Sequence, residues 1–196
     1  MIAPLPNNET ARLEAVYAYG ILDTTAEDVF DGLAAEVAAA LDAPIAVIGF
    51  IDQTRHWFKA KFGTPLSQNK RYWATCAHTI YQAKTLSAPD VRLEPRFADM
   101  PPLSQFGIRA YAGTPIINAD GCAIGTVCVF DHVVRPFSAW QLGQLEQYAQ
   151  KVLYLLEQRL RDEESVGIEV LVGLLPLSQP SPDVRQRILE KIRSKA

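Results

Sequence analysis

The tripeptide Ala119-Asp120-Gly121 sits between two apolar runs, residues 111–118 and 122–130, and this pattern constrains the fold more than any other. Asp-Gly accepts the positive φ that a tight hairpin connection needs, so the two runs are expected as neighbouring antiparallel strands. A second pair precedes it. Residues 44–52 form an apolar run ending at Asp52, Asp52-Gln53-Thr54 reads as a turn, and residues 55–62 read as the returning strand, closed by Gly63. Pro115 cannot donate to a ladder and is expected at an edge or bulge. Gly113 and Gly125 strip side chains from the second pair; a bulge or tight strand crossing is favoured over a ligand approaching the backbone.

Helical periodicity brackets these strands. Leu13, Val16 and Tyr17 share one face of a short helix that Gly20 stops. Thr24 and Glu27 have capping-box spacing, and Phe30, Leu33, Ala34, Val37, Ala38 and Leu41 predict a helix over 26–41. Residues 64–71 read as a polar loop, 75–82 as a helix, and 87–102 as irregular, with Pro101 and Pro102 supporting a loop. Ser138 is expected to cap a long helix reaching about Glu164. In it Leu142, Leu145, Ala149, Val152 and Leu156 form a heptad-like seam, flanked by Tyr148, Leu153, Leu155 and Leu160. An apolar run beyond Gly167, a Pro-rich break and a terminal helix over 183–194 complete the chain. The order predicts an α+β fold, an antiparallel sheet with helices chiefly on one face. The expected organisation is one domain over 1–165 and a tail over 166–196.

Composition narrows the function. A net charge of −3 with scattered basic residues argues against nucleic acid. No stretch reaches the roughly 20 apolar residues of a membrane span, and no signal peptide opens the chain. Three cysteines form no disulfide framework, which points to a reducing, cytoplasmic setting.

Several segments carry a resemblance in order: residues 12–24, 43–52, His56-Trp-Phe-Lys-Ala-Lys-Phe-Gly63, Thr75-Cys-Ala-His-Thr-Ile80, 95–99, 107–115 and Gly125-Thr-Val-Cys-Val-Phe-Asp131. Over about residues 10–160 the chain resembles the GAF domain family of bacterial signalling proteins. The resemblance implies an antiparallel β-sheet with N- and C-terminal helices on one face, and a pocket covered by loops and the middle helix on the other. It implies a small-molecule ligand without naming one, since family members differ in what they bind.

On that expectation the candidate ligand-binding residues are Trp57, Tyr72, Trp73, Cys76, His78, Asp90, Arg96, Phe97 and Tyr111. The aromatics supply apolar walls, and His78, Asp90 and Arg96 are the polar anchors. Cys76 reads as a buried packing residue before a thioether attachment point or redox thiol. Ala77 separates it from His78, whereas bilin-binding relatives have the two adjacent. Cys122 and Cys128, an even number apart, would share a strand face but lie too far apart to bridge. His56, His78 and His132 lack zinc spacing, and no phosphate loop or nucleophile elbow is present, so neither a metal nor a catalytic residue is expected.

The leading expectation is a sensory, non-enzymatic module: ligand binding biases the pocket loops, and the long helix passes the change to a homodimer partner or another protein. The alternative is a ligand-free interaction module whose pocket Trp73 fills. A small redox enzyme of the free methionine sulfoxide reductase type and a bilin photosensor rank below these.

Overall fold

The computed structural model describes the backbone of residues 1–173 and the side chains of residues 1–162. Residues 1–155 form one compact unit, and a second begins at Leu156, inside the last helix. The terminal helix expected over 183–194 lies outside the described residues.

The first unit is built on a six-stranded antiparallel sheet of order β3-β2-β1-β6-β5-β4. Its centre is the two expected hairpins: β1 (Ile45–Ile51) with β2 (Arg55–Phe62), and β5 (Ala110–Ile117) with β6 (Ala123–Asp131). Strands β1 and β6 join them, Val47 opposite Cys128. Each turn is fixed by a short polar side chain. Asp52 Oδ1 accepts from the amides of Thr54 and Arg55 at 2.8 and 2.7 Å. Asn118 Oδ1 accepts from Cys122 N at 2.9 Å, while Gly121 takes a φ of 76° that a side chain would resist. Pro115 lies beyond the end of β4 (Leu86–Ala88), which pairs only with 111–113, so its missing N–H costs no ladder bond.

Both edges depart from the expected loops. Gln68–Lys70 forms β3 against β2, and Leu86–Ala88 forms β4 against β5. Three residues are too few to show alternation. Pro101 and Pro102 open a short helix, α4 (Pro101–Gln105), because proline fits the first helical turn, where its missing donor is not needed. Cys122 precedes β6 in the turn, and a bulge between Ile116 and Ile117 breaks the even spacing expected to align it with Cys128. The two thiols therefore do not share a strand face.

One sheet face carries α1 (Glu9–Ala18), α2 (Asp28–Leu41) and the start of α5 (Ala139–Gly173). Phe30, Val37 and Leu41 of α2 are fully buried here, as are Ile48 and Phe50 of β1. Burial of each such side chain contributes about 1.5–3 kcal/mol. Asp42, at a φ of 50°, ends α2, and its last carbonyl, on Leu41, accepts from Arg135 Nη2 and Gln141 Nε2 of the segment entering α5. The capping box expected at Thr24 and Glu27 does not form. Lys59 Nζ takes both groups instead, bonding Thr24 Oγ1 at 2.9 Å and Glu27 Oε1 at 2.6 Å, and α2 starts at Asp28. A true capping box stands at Ser138: its Oγ accepts from Gln141 N, and Gln141 Oε1 accepts from Ser138 N. Helix α5 runs without a break past Gly167 to Gly173, well beyond the expected end near Glu164.

The opposite face carries α3 (Thr75–Gln82) and α4. Their core joins Val47 and Ile51 of the sheet to Cys76 and Ile80 of α3 and Leu103 of α4, with Phe97 and Met100 from the connecting segment.

Candidate functional site

Between the sheet and the segments around α3 and α4 lies a cavity of about 60 Å³. That is room for roughly two waters and well below the several hundred Å³ of a typical metabolite pocket. Val47, His56, Phe58 and Phe130 form its floor, and Trp73, Thr75, Leu103 and Phe106 close it from above. Asn69 stands at the rim, its Nδ2 donating to Trp73 O at 3.3 Å, which fixes the turn that carries the indole.

The floor is polar at one point. His56 is 3% exposed, and its Nε2 has no hydrogen-bond partner among the described residues. A buried imidazole nitrogen without a partner is unusual, and it identifies where a polar ligand atom or water would bind. Burial drives the His56 pKa below its ordinary value, against the opposite pull of the neighbouring Cys76. Gly49 makes this possible: a Cβ there would collide with His56 Nε2 and lie 3.0 Å from Trp57 O.

Next to this floor, under α3, lies a buried sulfur cluster. Cys76 Sγ and Cys128 Sγ are 3.4 Å apart, and Tyr111 Oη donates to Cys76 Sγ at 3.4 Å. Thr79 Oγ1 bonds the same tyrosine hydroxyl at 2.7 Å. Gly113 leaves space for that hydroxyl, since a Cβ would overlap it, and Gly125 lets the Gly49 carbonyl approach. Packing of neighbouring chain therefore accounts for both glycines.

The nine residues predicted for ligand binding do not converge on one site. Trp73 lines the cavity, and Cys76 and Tyr111 lie in the sulfur cluster. Trp57 alternates with His56 and Phe58 and so faces the α1–α2 layer. Tyr72 is 40% exposed beside Lys70. His78 packs edge-on against Phe97, with its Nε2 3.1 Å from Met1 O. Asp90 and Arg96 are engaged locally, by Arg92 and Glu94 respectively at 2.7 Å. The aromatic cluster of Phe97, Tyr111 and Phe130 is core. His56 was missed as a floor residue; its alternation with Trp57 in β2 was the available signal. Among the described residues no group of three ligand-type side chains is placed to hold a metal ion. No described helix is long and apolar enough to cross a membrane.

Known proteins share this architecture. The chain is 34% identical over 152 residues to a cyclic di-GMP phosphodiesterase of Pseudomonas aeruginosa; the match covers 76% of this chain and 26% of that protein, so the chain spans about a quarter of its relative's length. The GAF domain of an Acinetobacter phosphoenolpyruvate-protein phosphotransferase superposes with a TM-score of 0.57 at 16% identity, covering 79% of this chain and 95% of that one. A blue-light absorbing GAF domain from Thermosynechococcus elongatus superposes with a TM-score of 0.59 at 15% identity, over 80% and 94% of the two chains. Residues 20–153, spanning every strand and most of the helices that enclose the cavity, match the GAF domain family, and the chain belongs to it.

Proposed function

We propose that the chain is a regulatory GAF module that senses a small ligand at His56 and passes its occupancy to the long helix α5. The observation that carries this reading is the unpartnered, buried His56 Nε2 at the floor of a cavity. At about 60 Å³ the cavity admits only a few heavy atoms. A larger ligand must displace Trp73 or the α4 segment. That displacement gives two states with different ligand affinity, which a sensor requires. Native mass spectrometry of the purified chain is the test. A stoichiometric added mass on wild type that is absent from His56→Phe supports the reading; wild type at bare mass, with no small-molecule library member shifting the His56 ring resonances, refutes it.

A second reading is favoured by Trp73 itself, which occupies the cavity wall and reduces the volume. In it the chain is an interaction module with a self-filled pocket, and Trp73→Ala lowers stability without changing ligand occupancy.

The output is a homodimer formed along α5. Leu145, Ala149 and Val152 of the expected seam are buried within the first unit, so the available face is the outward one. Trp140 and Tyr154 are 63% and 58% exposed there, and Tyr154 borders an open groove shared with Val29 of α2. Sedimentation of wild type against a Trp140→Glu, Tyr154→Glu double variant tests it. A monomeric wild type at micromolar concentration ends the idea.

A further inference from the structure

We propose that Cys76 and Cys128 form a built-in oxidation site, in which a hydroperoxide converts the buried dithiol to a disulfide that fastens α3 to β6. The two thiols come from segments 52 residues apart, yet their sulfurs are 3.4 Å from each other and both side chains are fully buried. The third cysteine, Cys122, lies in the β5–β6 turn, where its sulfur accepts from Asn8 Nδ2 at 3.7 Å.

The surroundings are not those of inert packing sulfur. Tyr111 Oη points a donor at Cys76, and Thr79 bonds the same hydroxyl, orienting it. Thr126, on β6 two residues from Cys128, turns its buried hydroxyl toward the two sulfurs, and His56 Nε2 beside them is buried with no hydrogen-bond partner among the described residues. An apolar core has no use for this many polar groups around two thiols. Burial opposes ionisation of Cys76, but the neighbouring Cys128 thiol, the His56 ring and the Thr126 and Tyr111 hydroxyls together outweigh it and pull its pKa down. Burial and the same neighbour push Cys128 up. Cys76 is thus the attacking sulfur and Cys128 the resolving thiol. Thr75, adjacent to Cys76 in sequence, lines the cavity, and the cavity's volume suits a hydroperoxide.

Cys76, as thiolate, attacks one peroxide oxygen; the O–O bond breaks, and the departing oxygen takes up the proton Cys76 released, leaving as water or alcohol. The Cys128 thiol then attacks the sulfenic sulfur. The S–S bond forms, the S–O bond breaks, and the hydroxyl leaves as water with the Cys128 proton. The two thiols lose two electrons, and the hydroperoxide gains them. The product ties the helix that roofs the cavity to the central strand, so oxidation and ligand occupancy act on the same wall. The thiol chemistry needs no reversible ligand, so it can fail or hold independently of the sensing reading.

The test treats the native full chain with hydrogen peroxide, quenches, denatures, and counts thiols alongside peptide mapping. The expected result is a fall from three thiols to one, with Cys76 and Cys128 in one cross-linked peptide and recovery of all three on dithiol reduction. Cys122→Ser gives the same cross-link with the count falling from two to none. Cys128→Ala yields a sulfenic acid at Cys76 that dimedone traps. The proposal is overturned if native protein keeps three thiols at peroxide levels that oxidise the unfolded chain. It is equally overturned if the cross-link contains Cys122, or if Cys76 proceeds to sulfinic acid while Cys128 stays reduced.

Discussion

Replacing Glu9 with alanine should destabilise the first unit by about 2–3 kcal/mol, because one carboxylate serves two buried arginines. Arg12 is fully buried; its Nε and Nη2 bond Glu9 at 2.8 and 2.9 Å, and its Nη1 bonds Ile51 O at 2.7 Å. Arg71 Nη1 reaches Glu9 Oε1 at 2.5 Å and Asp52 O at 3.0 Å. Breaking a buried ion pair costs about 3–5 kcal/mol. Here the arginines keep their carbonyl acceptors and Glu9 is 15% exposed, which reduces the figure. The corresponding melting shift is roughly 5–10 °C for a domain of this size. An acid titration isolates the charge. Burial alone would raise the Glu9 pKa, but Arg12 and Arg71 bring it from 4.5 to about 2. A depressed carboxyl contributes stability above its unfolded value that is lost as pH falls toward the folded one, so the loss runs from about pH 5 down to about pH 2. With solvent screening it amounts to about 1–2 kcal/mol. Urea unfolding at pH 7, 4 and 3 should therefore show Glu9→Gln converging on wild type at the lowest pH. A Glu9→Ala loss below about 1 kcal/mol at pH 7, or a pH-independent gap for Glu9→Gln, would mean that the Glu9 carboxylate does not hold the two arginines.

Gly49→Ala should push the His56 ring aside at a cost of about 1–3 kcal/mol, by forcing a methyl into a filled site; an unchanged His56 C2-proton resonance would contradict it. Glu27→Ala leaves the buried Lys59 ammonium without its carboxylate and should cost about 1–3 kcal/mol, whereas Lys59→Met should be nearly neutral. Equal losses in urea titrations of the two variants would show that the ion pair, not desolvation, dominates. Ser138→Ala removes an N-cap and should cost about 1 kcal/mol by thermal unfolding; no measurable change would mean that α5 does not depend on its first turn.

The hairpins and principal helices were legible because their patterns are long. Six apolar residues of α2 recur at helical spacing, and Asp-Gly marks a turn regardless of tertiary context. Strands β3 and β4 were not legible, since three-residue edges are defined by the neighbour they pair with. The site was harder still. Trp73 was recognisable as a large aromatic in a turn, but His56 required knowing which face of β2 meets the cavity. Trp57, beside it, was the more conspicuous residue and faces the other way. The Cys76–Cys128 contact joins a helix to a strand across 52 residues, and no local spacing encodes it. Asp90 and Arg96 looked like ligand anchors because an exposed loop charge and a binding charge read alike until a local partner such as Arg92 or Glu94 is seen.

Strand β2 carries one residue more than its partner needs. Ile48 pairs with Ala60 and Gly49 with Phe58, so Lys59 stands outside the ladder. Its side chain instead spans to the N-terminal end of α2, and the chain on either side holds two separate alternation frames. Excising Lys59 would join those frames into a regular ladder and leave His56 and Phe58 facing the cavity. Excising Ala60 would instead carry a lysine into the vacated apolar position beneath α2. Two deletions one residue apart thus have opposite consequences, and an alignment gap placed at 59 or at 60 would describe two different proteins.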